Sequence, residues 1–169
     1  MKRLALALLL AACAAAPDSA PISPPVPDRD RFLSQGVSVF LEARCGSLDC
    51  HGQDGRPLRL YSKNGLRRLV GDGGTRDTSD TTPLERLENY RSVIGLEPEE
   101  MKNAMASPAG FDRLLLLKKP LDVSGRGVRH KGGQVLSASD SDPGWVCLTS
   151  WIQGRDGFAK SCSDAADLR

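Results

Sequence analysis

Five cysteines, at positions 13, 45, 50, 147 and 162 of a 169-residue chain, constrain the fold more than any other feature of the sequence. One stands near the start, two flank a short segment that runs straight into a histidine, and two lie near the end. The aromatic complement (Phe 4, Trp 2, Tyr 2) is small for the core of a domain this size. Something beyond apolar packing is therefore expected to supplement that core. Otherwise, 40% apolar and 26% charged residues is ordinary globular composition, and wholesale disorder is excluded. Lys and Arg number 23 against 21 Asp and Glu, and once Lys2 and Arg3 are assigned to a leader the rest balances at 21 against 21. Such a chain carries no polyanion footprint, so no nucleic acid is expected as a partner.

Met1-Lys2-Arg3 is a short basic start, and Leu4 to Ala12 is an apolar run of nine residues ending Leu10-Ala11-Ala12-Cys13. A run that short cannot cross ~30 Å of hydrocarbon at ~1.5 Å per residue, which favours a signal peptide over a membrane anchor. The Leu-Ala-Ala-Cys ending resembles the lipobox of bacterial lipoproteins. The resemblance implies cleavage before Cys13 and a diacylglycerol thioether on its sulfur, and two acyl chains hold a protein firmly to a bilayer. Ordinary secretion with an incidental Cys13 is the other reading. Ala14 follows the cysteine where an Asp would retain the protein, so the same resemblance leans toward the outer membrane. From Ala14 to Pro27 there are five prolines among small polar residues, the composition of an extended linker. The expected organisation is a lipoprotein signal peptide over 1–12, a lipidated Cys13 and linker over 13–27, and one domain over 28–169.

Within that domain the signals are helical. Phe32, Gly36 and Phe40, and likewise Leu33, Val37 and Leu41, recur at i+4 and predict one helix over Asp30 to Ala43. Thr82-Pro83-Leu84-Glu85 is a capping box with proline at the first helical position, opening a helix through Leu87, Tyr90 and Ile94 that Gly95 should stop. A third helix is expected from Pro98 past Met101 and Met105, and a fourth from Pro108 through Leu114 to Lys118, ended by Pro120. Asp142 and Pro143 open the last, which carries Trp145, Leu148, Trp151 and Ile152 and stops at Gly154. Residues 71–79 and 124–134 read as loops, and no sustained period-2 strand is visible. The fold class is a small, mostly α, loop-rich domain.

The chemistry follows the first helix, at Arg44-Cys45-Gly46-Ser47-Leu48-Asp49-Cys50-His51-Gly52. A c-type haem site needs two thiols to add across the haem vinyl groups and an adjacent imidazole for the iron, so the Cys50-His51 pair is the informative one. The commonest spacing is C-x-x-C-H, and here it is C-x-x-x-x-C-H. Three helical steps of ~100° leave two thiols about 60° apart, whereas five leave them about 140° apart. Two residues must therefore loop out, and Gly46 eases that. Of the five cysteines, Cys13 goes to lipid, Cys45 and Cys50 to thioethers, and Cys147 with Cys162 to a disulfide in an oxidising compartment. A partition with a second disulfide, Cys45 to Cys50, is equally complete, but it would not require His51.

At this point the chain resembles the single-haem cytochrome c domains of exported bacterial proteins. Four stretches carry the likeness: the helix from Phe32 to Leu41, Cys45 to Gly52, Leu114 to Leu121 with His130-Lys131-Gly132-Gly133 soon after, and Leu148-Thr149-Ser150-Trp151-Ile152-Gln153-Gly154. The resemblance implies a cytochrome c-like fold in which the closing Trp-Ile helix packs on the first, and a His-Gly-Gly element near the haem. The departures are the wide cysteine spacing and Lys131, where a small residue is expected. The implied function is a membrane-anchored electron carrier with one covalent haem c, bound through Cys45, Cys50 and His51, working with a redox partner protein on the periplasmic side of the cell envelope. For the second iron ligand, His130 in its glycine-rich loop is preferred over Met101 and Met105, whose four-residue spacing suits core packing, and over an open or water-filled position. The alternatives are a haem-free, disulfide-stapled structural or binding lipoprotein of the same fold, and a metal site built from Cys45, Cys50, His51 and His130.

The remaining features read as structural. Trp145 and Trp151 are expected to pack in the core or at its edge rather than relay electrons, and Tyr61 either in the core or against a haem. The pairs Arg67-Arg68 and Lys118-Lys119 are expected to be solvated, or as an exposed basic rim to steer an acidic redox partner. With two histidines, no nucleophile elbow and no H-E-x-x-H, a hydrolase finds no support.

Overall fold

The protein is described by a computed structural model covering residues 24–70, 75–76 and 79–168. The leader, Cys13 and most of the linker lie outside these residues, as does much of the loop expected over 71–79. Among the described residues seven α-helices follow in order: α1 Arg29–Ser34, α2 Val37–Cys45, α3 Pro83–Leu96, α4 Pro98–Ala106, α5 Leu115–Lys118, α6 Pro143–Ile152 and α7 Ala159–Asp167. Two-residue strands, β1 Leu69–Val70 and β2 Thr75–Arg76, pair antiparallel with Leu69 opposite Arg76. The mostly helical, small domain read from the sequence is what the chain forms. Among the described residues no helix is long and apolar enough to cross a membrane.

Helix starts sit where local chemistry puts them. Asp28 accepts from the Arg31 amide at 2.7 Å and caps α1. Thr82 and Glu85 exchange both bonds of the capping box at the start of α3. Asp142 caps α6 through the Trp145 amide at 2.7 Å while its other oxygen takes the Ser137 amide at 2.9 Å.

The single helix expected over 30–43 is two helices. Gly36 turns left-handed at φ 86°, and a Cβ there would lie 3.1 Å from Cβ of Cys162. The break is thus set by the close approach of α7, and the apolar stripe continues across it, with Phe32, Val37, Phe40 and Leu41 all buried. The fourth expected helix is also divided, into a 3-10 turn at Pro108–Asp112 and α5. Here Glu97 accepts from the Leu115 amide at 2.7 Å and starts a new helix. The end of α3 falls at Leu96, just past Gly95.

The segment after Gly154, beyond the last helix expected from the sequence, contains α7. Phe158, Cys162 and Ala165 are its buried face. Cys147 of α6 and Cys162 of α7 form the expected disulfide, closing a loop of 15 residues. In the chain-entropy account such a closure contributes up to about 3 kcal/mol.

Around Trp151, which is fully buried, the N-terminal and closing helices meet. Its ring lies 5.1 Å from Phe32, and its Nε1 donates to the Asp28 carbonyl at 2.8 Å. Phe32 also meets Tyr90 edge-on at 5.5 Å. Trp145 is half-buried and packs edge-on against Phe111. Tyr61 is half-buried, with its backbone amide and carbonyl both bonded to the Asn89 side chain at 2.6 and 2.8 Å.

Two expectations about charge are corrected. Arg67 is buried, because Glu85 takes its Nε at 3.0 Å and its Nη2 at 3.1 Å in addition to serving the capping box. Lys118 is buried too, with Nζ 3.9 Å from Asp112, whereas Arg68 and Lys119 are exposed as expected.

Candidate functional site

Behind the Cys45 to Gly52 segment the backbone is packed as closely as glycine permits. The Gly46 carbonyl accepts from Ser62 Oγ at 2.5 Å, and the Cα atoms of Gly52 and Gly65 lie so near that carbonyl that a Cβ on either would overlap it. Gly46 itself has an ordinary negative φ. Its role is the close approach to Ser62, not the loop-out for which the sequence suggested it.

The two extra residues of the motif are absorbed in a turn. Cys45 ends α2, the Cys50 and Gly52 amides both donate to the Ser47 carbonyl, and the His51 amide donates to the Cys45 carbonyl at 2.9 Å. The thiols therefore do not sit on one helix, and the pair with its histidine is presented from a helix end and a tight loop.

Cys45, Cys50, His51 and His130 line one cavity of about 260 Å³. Its walls are apolar, supplied by Phe40 and Leu41 of α2, Leu116 of α5, Leu136 and Leu148. Both Cys45 and Cys50 are free thiols, while Cys147 and Cys162 are joined. A Cys45 to Cys50 disulfide, on which one alternative reading relied, is not formed. Burial, helped by the neighbouring Cys50, pushes the Cys45 thiol up to about 12 against the opposing pull of Arg44, so it stays protonated at neutral pH.

His51 is held by its ring. Nδ1 lies 2.9 Å from the Leu58 carbonyl, and since a carbonyl only accepts, Nδ1 carries the proton and Nε2 keeps its lone pair. Burial lowers its pKa, the Leu58 bond works against that, and the nearby His130, Arg56 and Lys119 add to the lowering. His130 is lowered as well, first by burial and then by the Lys119 charge, while its ring bonds the Lys119 backbone. Gly132 makes room for it, since a Cβ there would lie 2.7 Å from His130 Nε2. Two neutral imidazoles, each oriented by a backbone group, thus share the cavity with two thiols.

The sequence did not reveal the Leu58 carbonyl, which no side chain signals, nor that Arg44, Arg56, Lys119 and Lys131 line one cavity together. Met101 is buried in the core and Met105 packs against it, and neither lines the cavity. Tyr61 does not line it either. Among the described residues no group of three or more His, Cys, Asp or Glu is gathered closely enough to hold a metal ion. No family model, curated protein or solved structure matches the chain.

Proposed function

We propose that the chain is a lipid-anchored c-type cytochrome that carries single electrons, with one haem c held through Cys45 and Cys50 and ligated by His51 and His130. The observation that carries this reading is the convergence of two free thiols and a backbone-oriented imidazole on one apolar cavity. The donor set fits the group: two thiols for two thioethers, one imidazole directly after the second of them, and a second imidazole from another segment. When bound, the haem supplies a one-electron iron couple.

The chain's own residues do the rest. Cys45 and Cys50 hold the group covalently, so that it is not lost outside the cell. The Leu58 carbonyl fixes the His51 tautomer and raises its basicity as a donor. Leu116, Leu136 and Leu148 exclude water from the site and lower its local dielectric. His130 approaches from the loop behind α5, anchored on the Lys119 backbone. Anchoring through Cys13 and the proline-rich linker would keep this site at the periplasmic face of a membrane, with the outer membrane favoured by Ala14, within reach of a redox partner protein.

A pyridine haemochrome spectrum of protein expressed with haem-attachment machinery tests the reading. A c-type band that disappears in Cys45→Ala/Cys50→Ala is expected, and absence of any c-type band from the unaltered protein overturns it. The anchor is tested separately. Cys13→Ser should fold normally and leave the membrane fraction, and its persistence there would show that lipid on Cys13 is not the tether.

A further inference from the structure

We propose that the cations lining the cavity recognise the two carboxylates of a porphyrin, selecting and seating a dicarboxylate tetrapyrrole before any covalent bond forms. This rests on the haem reading of the same cavity.

Arg44, Arg56, Lys119 and Lys131 line the cavity against a single carboxylate, Asp49. That imbalance is local, because the chain beyond its leader carries as many acids as bases. Several cations elsewhere in the protein are held by carboxylates. Arg31 pairs with Asp156, Arg86 with Glu42, Lys118 with Asp112 and Lys160 with Asp164. Among the described residues none of the four cavity cations is paired with a carboxylate, and the Arg44 guanidinium donates instead to the Leu168 carbonyl. Lys118 and Lys119 make the contrast plain: one is buried on an acid, and its neighbour is exposed at the cavity.

Unneutralised cations around an apolar, low-dielectric space focus a positive potential into it. The complementary ligand is an amphiphile with an apolar body and more than one negative charge. A porphyrin with two carboxylates has that form, and esterifying the carboxylates removes the charge while keeping the apolar body. Lys119 has two tasks in this arrangement, since it lines the cavity as a cation while its backbone bonds the His130 ring. An acidic protein surface would also be drawn to these residues, but it has no means of filling the apolar walls that the same cations border.

The experiment titrates haemin and haemin dimethyl ester into the full chain, purified in detergent from cells lacking haem-attachment machinery, with Soret absorbance and tryptophan quenching as readouts. The unaltered protein should bind the diacid about tenfold more tightly than the ester, as a few partly exposed ion pairs allow. R56Q/K119Q/K131Q should bind both with the ester's affinity, and the unchanged ester affinity reports a folded cavity. If the triple variant folds poorly, Lys131→Gln alone should narrow the preference, and 0.5 M salt should narrow it in the unaltered protein. Equal affinity of the unaltered protein for the two probes, or a preference indifferent to both salt and substitution, overturns the carboxylate site alone. Binding of neither probe overturns the haem reading and this one together.

Discussion

The His51 amide donates to the Cys45 carbonyl at 2.9 Å, so that residues six apart make the bond that an α-helix makes between residues four apart. The turn at Ser47 to Cys50 takes up the two extra residues and returns the chain to register at the histidine. Whatever the motif grips on the cavity side therefore meets cysteine and histidine ends related much as in the shorter spacing.

A pair of deletions tests this compensation. Removing both Leu48 and Asp49 places His51 four residues after Cys45, where a continuous helix supplies the same bond, and the covalent haem proposed for this site should be retained. Removing Asp49 alone leaves a gap of five and turns the imidazole by about 100° relative to the first thiol. That variant should lose most of its haem. Haemochrome yield per protein measures both, and equal loss in the two variants would show that the length of the turn matters for another reason.

The glycine packing behind the motif makes a second prediction. Gly52→Ala and Gly65→Ala must push backbone away from the Gly46 carbonyl, at a cost of about 1–3 kcal/mol as for other overpacked sites. Gly95 lies inside α3 and a Cβ there meets nothing within 4 Å, so Gly95→Ala should stabilise by about 0.5–1 kcal/mol. Urea denaturation of the three variants should order them in that way, and a neutral Gly52→Ala would remove the close-packing argument.

What could be read from the sequence was local. The capping box at Thr82 and Glu85 and the Asp142-Pro143 start are complete within four residues, and both helices begin there. The disulfide was legible because the other thiols had alternative chemistry. The break at Gly36 was not, since its cause is Cys162, far along the chain on a helix whose residues, Ala159 to Asp167, are too polar to announce it. Arg67 looked like one of two surface cations because its partner Glu85 had a sufficient local explanation as a cap. At the site the side-chain donors Cys45, Cys50, His51 and His130 were legible and do share a cavity. The Leu58 carbonyl that orients His51 was not, because every residue has one.

Glu85 should govern acid stability. Burial acts to raise its pKa, but the Arg67 guanidinium outweighs this together with the Thr82 and Arg68 amides, holding the carboxyl near about 2 against an ordinary 4.5. A folded-state value below the unfolded one means that its stabilisation is complete above about pH 4.5 and is lost as the pH falls toward 2. The shift corresponds to roughly 3 kcal/mol. Glu85→Gln should cost about 3–5 kcal/mol at pH 7 by removing the carboxylate from buried Arg67, and it should flatten the loss of stability in acid. Urea midpoints from pH 7 down to pH 2.5 measure both effects. An acid slope unchanged in Glu85→Gln would assign the titration to another carboxylate.

His130 carries the last prediction. It stands in the cavity with His51, its pKa lowered by burial and by Lys119, so that it is neutral and able to donate a lone pair at physiological pH. The two methionines that could compete lie in or against the core, and Met101 is only 1% exposed. Two imidazoles bound to one iron favour the ferric state relative to an imidazole and a thioether, so the midpoint potential should lie lower than methionine ligation would give. The ferric protein should be low-spin without the near-infrared band of sulfur ligation. His130→Ala should become high-spin or acquire an exchangeable ligand, whereas Met105→Leu should leave the spectrum unchanged. A sulfur band in the unaltered protein, or low-spin character that survives His130→Ala, would move the second ligand to another residue.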